Sequence, residues 1–205
     1  MNKKRLQLTV ARLLALAGAA MLLHACDTRQ PVALENATQL PKPLEIKAFE
    51  LTDERGSSLT QDDLLDRWTL VFFGFTRCPD ICPVTLQQLL TARVTLQKQG
   101  VVQVPDILFV SVDPARDTVE ALASYVDSFN GELRGARAEL PALRQFTGNL
   151  GIFFEQGPGP AERYQVNHSA AVLLINPRGA LHAIFSAPQN VQALVHDLPI
   201  VMAAF

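Results

Sequence analysis

Acidic residues are missing from the start of this chain. Lys3, Lys4, Arg5 and Arg12 stand unopposed before Asp27, although the 205 residues as a whole carry 20 Asp and Glu against 18 Lys and Arg. Past that stretch only 14 basic residues face the 20 acidic ones. So few cations cannot neutralise a phosphate backbone, and no nucleic-acid partner is expected. Long apolar runs are also lacking: the run Leu13 to Leu23 ends after 11 residues, whereas a membrane-spanning helix needs about 20. Gly and Pro, 11 and 13 residues, are near their usual share, which removes collagen-like and low-complexity architectures, and no internal repeat is present. Cysteine is scarce: Cys26, Cys78 and Cys82 make one pair and one odd thiol. With 48% hydrophobic and 19% charged residues, the remainder suffices for one soluble globular core.

The amino terminus reads as an address rather than as fold. A charged start, the Leu13–Leu23 run and small Ala25 before Cys26 have the layout of a secretory signal. Leu23-His24-Ala25-Cys26 resembles the lipobox of bacterial lipoproteins, in which cleavage leaves the cysteine as a lipid-bearing amino terminus; His24 departs from the usual pattern. Asp27 resembles the mark that retains such proteins at the inner membrane. The expectation is a signal over 1–25, lipid on Cys26, a tether over 26–44 with Pro31, Pro41 and Pro43, and a domain over 45–205 on the periplasmic face of the bacterial inner membrane.

From residue 45 the pattern alternates strand and helix. Glu45–Leu51 and the turn Glu54-Arg55-Gly56 predict an opening hairpin, and Thr60-Gln61-Asp62-Asp63 caps a short helix to Asp66. Trp68–Thr76 is apolar almost throughout, as a strand buried on both faces should be. Pro83 suits the first position of a helix to Gln99, with Leu86, Leu89, Leu90 and Val94 on its inner face. Ile107–Val112 is a second buried strand, and Asp117 with Glu120 has capping-box spacing for a helix to Phe129. A helix over Pro141–Asn149, a strand over Ile152–Glu155, a hairpin of Ala170–Ile175 and Ala180–Phe185 about Asn176-Pro177-Arg178-Gly179, and a closing helix from Gln189 complete the order. That order predicts an α/β, thioredoxin-like fold: a central mixed sheet flanked by helices, with an amino-terminal hairpin extension.

Cys78 and Cys82, four residues apart, follow a buried strand at its carboxyl end and precede a helix start. Open α/β sheets bind ligands at such ends, and a helix amino terminus favours thiolate. The spacing permits a disulfide, including a purely structural one, or chelation of one ion. His168 stands before the Ala170 strand, where a thioredoxin carries its cis-proline and this chain has none. Gly157-Pro158-Gly159-Pro160, within the loop Gln156–Arg163, has the composition of a movable flap. A partly buried turn histidine is the plain alternative for His168.

Phe72-Phe73-Gly74-Phe75-Thr76-Arg77-Cys78-Pro79-Asp80-Ile81-Cys82-Pro83 closely resembles the signature of the Sco/SenC family, thioredoxin-like copper proteins concerned with cytochrome c oxidase assembly. Ser111-Val112-Asp113-Pro114-Ala115-Arg116-Asp117-Thr118, Val166-Asn167-His168-Ser169 and Leu174-Ile175-Asn176-Pro177-Arg178-Gly179 resemble its other signatures, in the same order. The resemblance implies one copper per chain, as Cu(I) or Cu(II), on Cys78, Cys82 and His168. It implies delivery to the dinuclear copper site of the oxidase subunit, an upstream copper donor and a thiol reductant. Two soft thiolates and an imidazole suit copper, whereas a closed zinc site wants four protein ligands. Asn167 stands where the family often has Asp. The rival reading is a thiol-disulfide oxidoreductase or redox sensor, with Cys78 and Cys82 as a redox-active pair. A peroxiredoxin-type peroxidase is disfavoured because Phe75 and Pro79, not Thr, stand three residues before the two cysteines. His182 and His196 read as surface or edge residues, Asp113, Arg116 and Asp117 as a proline turn and helix cap with a local ion pair or as a partner contact, and Tyr164 as packing beneath the flap.

Overall fold

In the computed structural model the residues described are 33–160 and 163–205. The signal-like segment 1–25 and Cys26 lie outside them, as do Ala161 and Glu162 of the predicted flap. Among the described residues no helix is long and apolar enough to cross a membrane.

The strands are β1 (Ala37–Glu45), β2 (Glu50–Asp53), β3 (Ser58–Thr60), β4 (Thr69–Gly74), β5 (Asp106–Ser111), β6 (Arg134–Arg137), β7 (Phe154–Gln156), β8 (Val166–His168), β9 (Val172–Ile175) and β10 (Ala180–Phe185). The helices are α1 (Ile81–Lys98), α2 (Val119–Asp127), α3 (Leu140–Asn149) and α4 (Val191–Ala203), and a single 3-10 turn spans Gln61–Leu64. Eight strands form one sheet in the order β1-β10-β9-β4-β5-β6-β2-β3, and β7 with β8 makes a separate ribbon. β4, β5 and β6 run parallel and the remaining pairs antiparallel. This is the expected thioredoxin-like mixed sheet, with the β2–β3 hairpin appended at one edge.

β4 and β5 are central, so both faces of Thr-Leu-Val-Phe-Phe-Gly are buried. Alternation sends Phe73 to one face, where it meets Phe146 of α3, and Phe72 to the other, beside Phe109. On that second face α2 approaches β6 closely: a side chain at Gly135 would lie 2.9 Å from Leu122. α1 shares this face, because a side chain at Gly74 would lie 2.9 Å from the Cys82 sulfur.

Several boundaries differ from the sequence reading. Residues 37–44 were expected in the tether, but they belong to β1, which pairs antiparallel with β10 and has Ala37 opposite Phe185. Pro41 and Pro43 fall where the register shifts between Gln39 and Leu44, and a bulged edge strand is one of the few strand positions that tolerate proline. The segment before β1 is held by Asp197 of α4, whose carboxylate accepts the N–H groups of Glu35, Asn36 and Ala37 at 2.8–3.1 Å. Helix α1 begins at Ile81 rather than Pro83, with Asp80 at its cap; proline is harmless at the third position because the first turn has no intrahelical acceptor for its N–H. Val94, expected on the inner face, is 43% exposed. Thr118, not Asp117, caps α2, accepting the Ala121 N–H. The short strands β6 and β8 had no sequence signal of their own.

Candidate metal centre

Cys78 lies in the turn between β4 and α1, its N–H bonded to the Phe75 carbonyl at 3.1 Å. Cys82 is the second residue of α1 and fully buried. Its N–H, one of the unpaired donors at the helix start, points at the Cys78 sulfur over 3.4 Å. Both cysteines are free thiols. The pair is electronically unequal. The thiol–thiol hydrogen bond from Cys82 foremost pulls the Cys78 thiol down to about 4; burial opposes this, and the backbone N–H groups of Asp80 and Cys82 assist it. The same bond, seen from the other side, combines with burial to push Cys82 well above the ordinary thiol range. Cys78 is therefore the thiolate and Cys82 the protonated partner.

His168, the last residue of β8, arrives from the ribbon. Its Nδ1 lies 3.0 Å from the Ser169 carbonyl; a carbonyl only accepts, so Nδ1 carries the proton and Nε2 keeps its lone pair. That lone pair faces the Cys82 sulfur at 3.6 Å. Phe72 and Phe75 stand edge-on to the imidazole, with centroids 6.2 and 6.1 Å away, and fix the ring in an apolar wall. His168, 86 residues beyond Cys82 in sequence, thus meets the cysteine pair at one end of the sheet. Among the described residues no three His, Cys, Asp or Glu side chains are close enough together to form an ion cage. The donors are two sulfurs and one imidazole nitrogen, a set suited to a soft cation.

Four residues, Asp117, Thr76, Ser111 and Gly74, support the site from beneath, a role the sequence did not assign them. Asp117, fully buried, accepts Thr76 N–H at 2.9 Å, Thr76 Oγ1–H at 2.6 Å and Ser111 Oγ–H at 2.6 Å. It staples the cysteine turn to the end of β5. Gly74 leaves the space that the Cys82 sulfur fills. For Asp117 the spacing to Glu120 pointed to a cap and concealed the tertiary role; for Thr76 and Ser111 no local signal existed.

Asp113 and Arg116 form a buried ion pair at 2.5 Å. The Arg116 guanidinium stacks 3.6 Å over the Tyr164 ring and donates to the Tyr164 carbonyl at 2.9 Å, and Tyr164 OH donates to Asp113. Tyr164 is buried and lies against Gly159, where a side chain would come within 3.5 Å of it. His182, expected at the surface, is buried: Trp68 and Phe205 flank it and its Nε2 lies 3.1 Å from the Val201 carbonyl. β10 is the second strand in from the edge, so β1 covers it. His196 is half-exposed and bonded to Asp197 at 2.8 Å.

The model of the SCO1/SenC family matches residues 37–203. The mitochondrial SCO2 homologue of Bos taurus is 34% identical over 158 residues, which are 77% of this chain and 59% of that protein; the chain therefore spans about three-fifths of that relative's length. The solved structure of Arabidopsis thaliana ScoI with copper bound superposes with a TM-score of 0.71 at 27% identity, covering 77% of this chain and 98% of that one. The solution structure of apo Sco1 from Thermus thermophilus gives 0.70 at 30% identity, covering 84% and 98%. With the family's span starting at the first residue of β1 and ending at the last of α4, the chain belongs to the SCO1/SenC family.

Proposed function

We propose that this chain is a copper carrier that binds one copper ion through Cys78, Cys82 and His168 and passes it to the dinuclear copper site of a cytochrome c oxidase subunit. The observation that carries this reading is the approach of His168 Nε2 to the Cys82 sulfur at 3.6 Å, with Nδ1 tied back so that the free lone pair faces the thiols. Two sulfurs and one imidazole hold Cu(I) or Cu(II) without filling every coordination position, which leaves room for an accepting thiolate. Family membership and the copper held by the Arabidopsis relative support it. An upstream copper donor and a thiol reductant complete the cycle. Lipid on Cys26 keeps the domain at the periplasmic face of the bacterial inner membrane, with the segment before β1 as its tether.

A second reading is favoured by the inequality of the thiols. Cys78 as thiolate attacks a disulfide of a target, and Cys82 then displaces the mixed disulfide; the two protein thiols become one disulfide as the target disulfide becomes two thiols. One experiment separates the readings. Copper titration of the reduced soluble domain is expected to end at one ion per chain. His168→Ala should keep a weaker Cu(I) complex, lose the Cu(II) spectrum that needs imidazole, and fail to load a soluble oxidase copper-site domain, while still reducing that domain's disulfide. An unchanged Cu(II) spectrum in His168→Ala removes the histidine from the ligand set, and full restoration of oxidase assembly by that variant at ordinary copper levels promotes the reductase.

A further inference from the structure

The β7–β8 ribbon has an open side. Phe154 lies opposite His168, Glu155 opposite Asn167 and Gln156 opposite Val166. The bonds at its two ends, Ser169 N–H to the Phe153 carbonyl at 2.9 Å and Gly157 N–H to the Gln165 carbonyl at 2.7 Å, keep the same register. Antiparallel ladders alternate, so Phe153, Glu155 and Gly157 turn their backbone groups toward β8, and Phe154 and Gln156 turn theirs away from it. Those outward groups meet no backbone partner among the described residues, and the ribbon joins no larger sheet. A two-stranded ribbon is marginal by itself and gains from a third strand. Beside this edge lie two adjoining hollows of about 370 and 320 Å³ that share Arg144, Phe154 and Glu155. Phe153, 58% exposed, and Leu140, 41% exposed, stand at their rims.

We propose that β7 is a strand-addition site: an extended segment of the copper-accepting protein pairs with the outward N–H and C=O groups of Phe154 and Gln156. This rests on the carrier reading above. The groove asks for an apolar side chain against Phe153 and Leu140 and for a carboxylate opposite Arg144, which is exposed and makes no ion pair among the described residues. A second copy of this chain is the poorer occupant, because β7 paired with itself about its midpoint sets Glu155 against Glu155. The docked strand joins the ribbon whose other strand carries His168, opposite Phe154, so docking steadies the histidine while copper changes hands.

The test follows backbone amides in the copper-loaded protein mixed with a soluble, reduced oxidase copper-site domain. Hydrogen exchange at Phe154 and Gln156 is expected to slow at least tenfold on mixing, while Glu155, already bonded to β8, changes little. Gln156→Pro removes one outward N–H and leaves the β7–β8 ladder intact; it should weaken the complex and slow transfer about tenfold, with copper stoichiometry and thermal midpoint unchanged. Copper transfer without protection of the two amides overturns the strand-addition site and leaves the carrier reading standing. Protection that appears with concentration of this chain alone assigns the edge to self-association and overturns it equally. Failure of any transfer to occur overturns both readings.

Discussion

Two cysteines four residues apart look equivalent in a sequence and are opposites in the structure. Cys78 accepts a helix-start N–H and keeps slight solvent access; Cys82 sits inside the first turn, fully buried, with Gly74 behind it. A thiolate absorbance titration of the reduced protein is therefore expected to show one thiolate persisting down to a midpoint of about 4 and no second thiolate across the neutral range. The sign for stability follows. Cys78 has a folded pKa below its ordinary value of 9.0, so its contribution is full above that value and is lost as pH falls through about 4. Two thiols titrating together near 9 would remove the asymmetry on which the exchange reading depends. His168 is set by one backbone contact: the Ser169 carbonyl at Nδ1 selects the tautomer that leaves Nε2 free.

At the scale of elements, two buried carboxylates bind segments that local pattern alone would leave loose. Asp117 ties the cysteine turn to β5 through Thr76 and Ser111. Asp197, in the middle of α4, holds three consecutive N–H groups leading into β1 and the imidazole of His196. Burial pushes the Asp197 pKa up, but the hydrogen bonds from Glu35, His196, Asn36 and Ala37 outweigh it, and the carboxyl is held below its usual 3.8. The bond to Asp197 raises His196 above 6.5. The aspartate's contribution is complete above its ordinary value and is lost as pH falls through the lowered one; the histidine's is complete below its ordinary value and is lost as pH rises through the raised one. The clamp is thus whole between 3.8 and 6.5. Asp197→Ala should cost on the order of 2–3 kcal/mol in urea unfolding and expose the Glu35–Ala37 amides to rapid exchange, with α4 retained. Unaltered exchange of those amides would show that β1 is held by its ladder to β10 alone.

For the whole molecule, the core does not depend on the site. Phe72, Phe73, Phe109, Phe146 and Phe185 are fully enclosed between sheet and helices, and a chain of this size buries enough surface to fold without a metal staple. Copper chelation is expected to leave the thermal midpoint of the domain within a few degrees of its starting value by calorimetry; a collapse of tens of degrees would make the metal structural. Oxidation to a Cys78–Cys82 disulfide should abolish tight copper binding, because both states use the same sulfurs. Equal copper affinity in the oxidised protein would place the site elsewhere.

Sequence pattern alone determined the alternation of strands and helices from β4 to α4, β6 and β8 apart, because buried strands such as Leu70–Phe73 and helices that open on a proline, such as α3, carry their signal in neighbouring residues. It also drew attention to Cys78 and Cys82, since thiols are rare and their chemistry is legible by type, whereas His168 was set apart from the other histidines only by its resemblance to a family signature. What it could not supply was everything decided by a distant partner. β1 is a strand because β10 offers an edge, although its own prolines argue for a tether. β6 is a strand because β5 and β2 flank it, and Gly135 serves α2 rather than a turn. Asp117 left its helix cap for Thr76, 41 residues away, and His182 was buried by a strand 143 residues earlier. Hydrogen bonds and packing across such separations depend on coordinates, not on spacing along the chain, and only the tertiary structure assigns them.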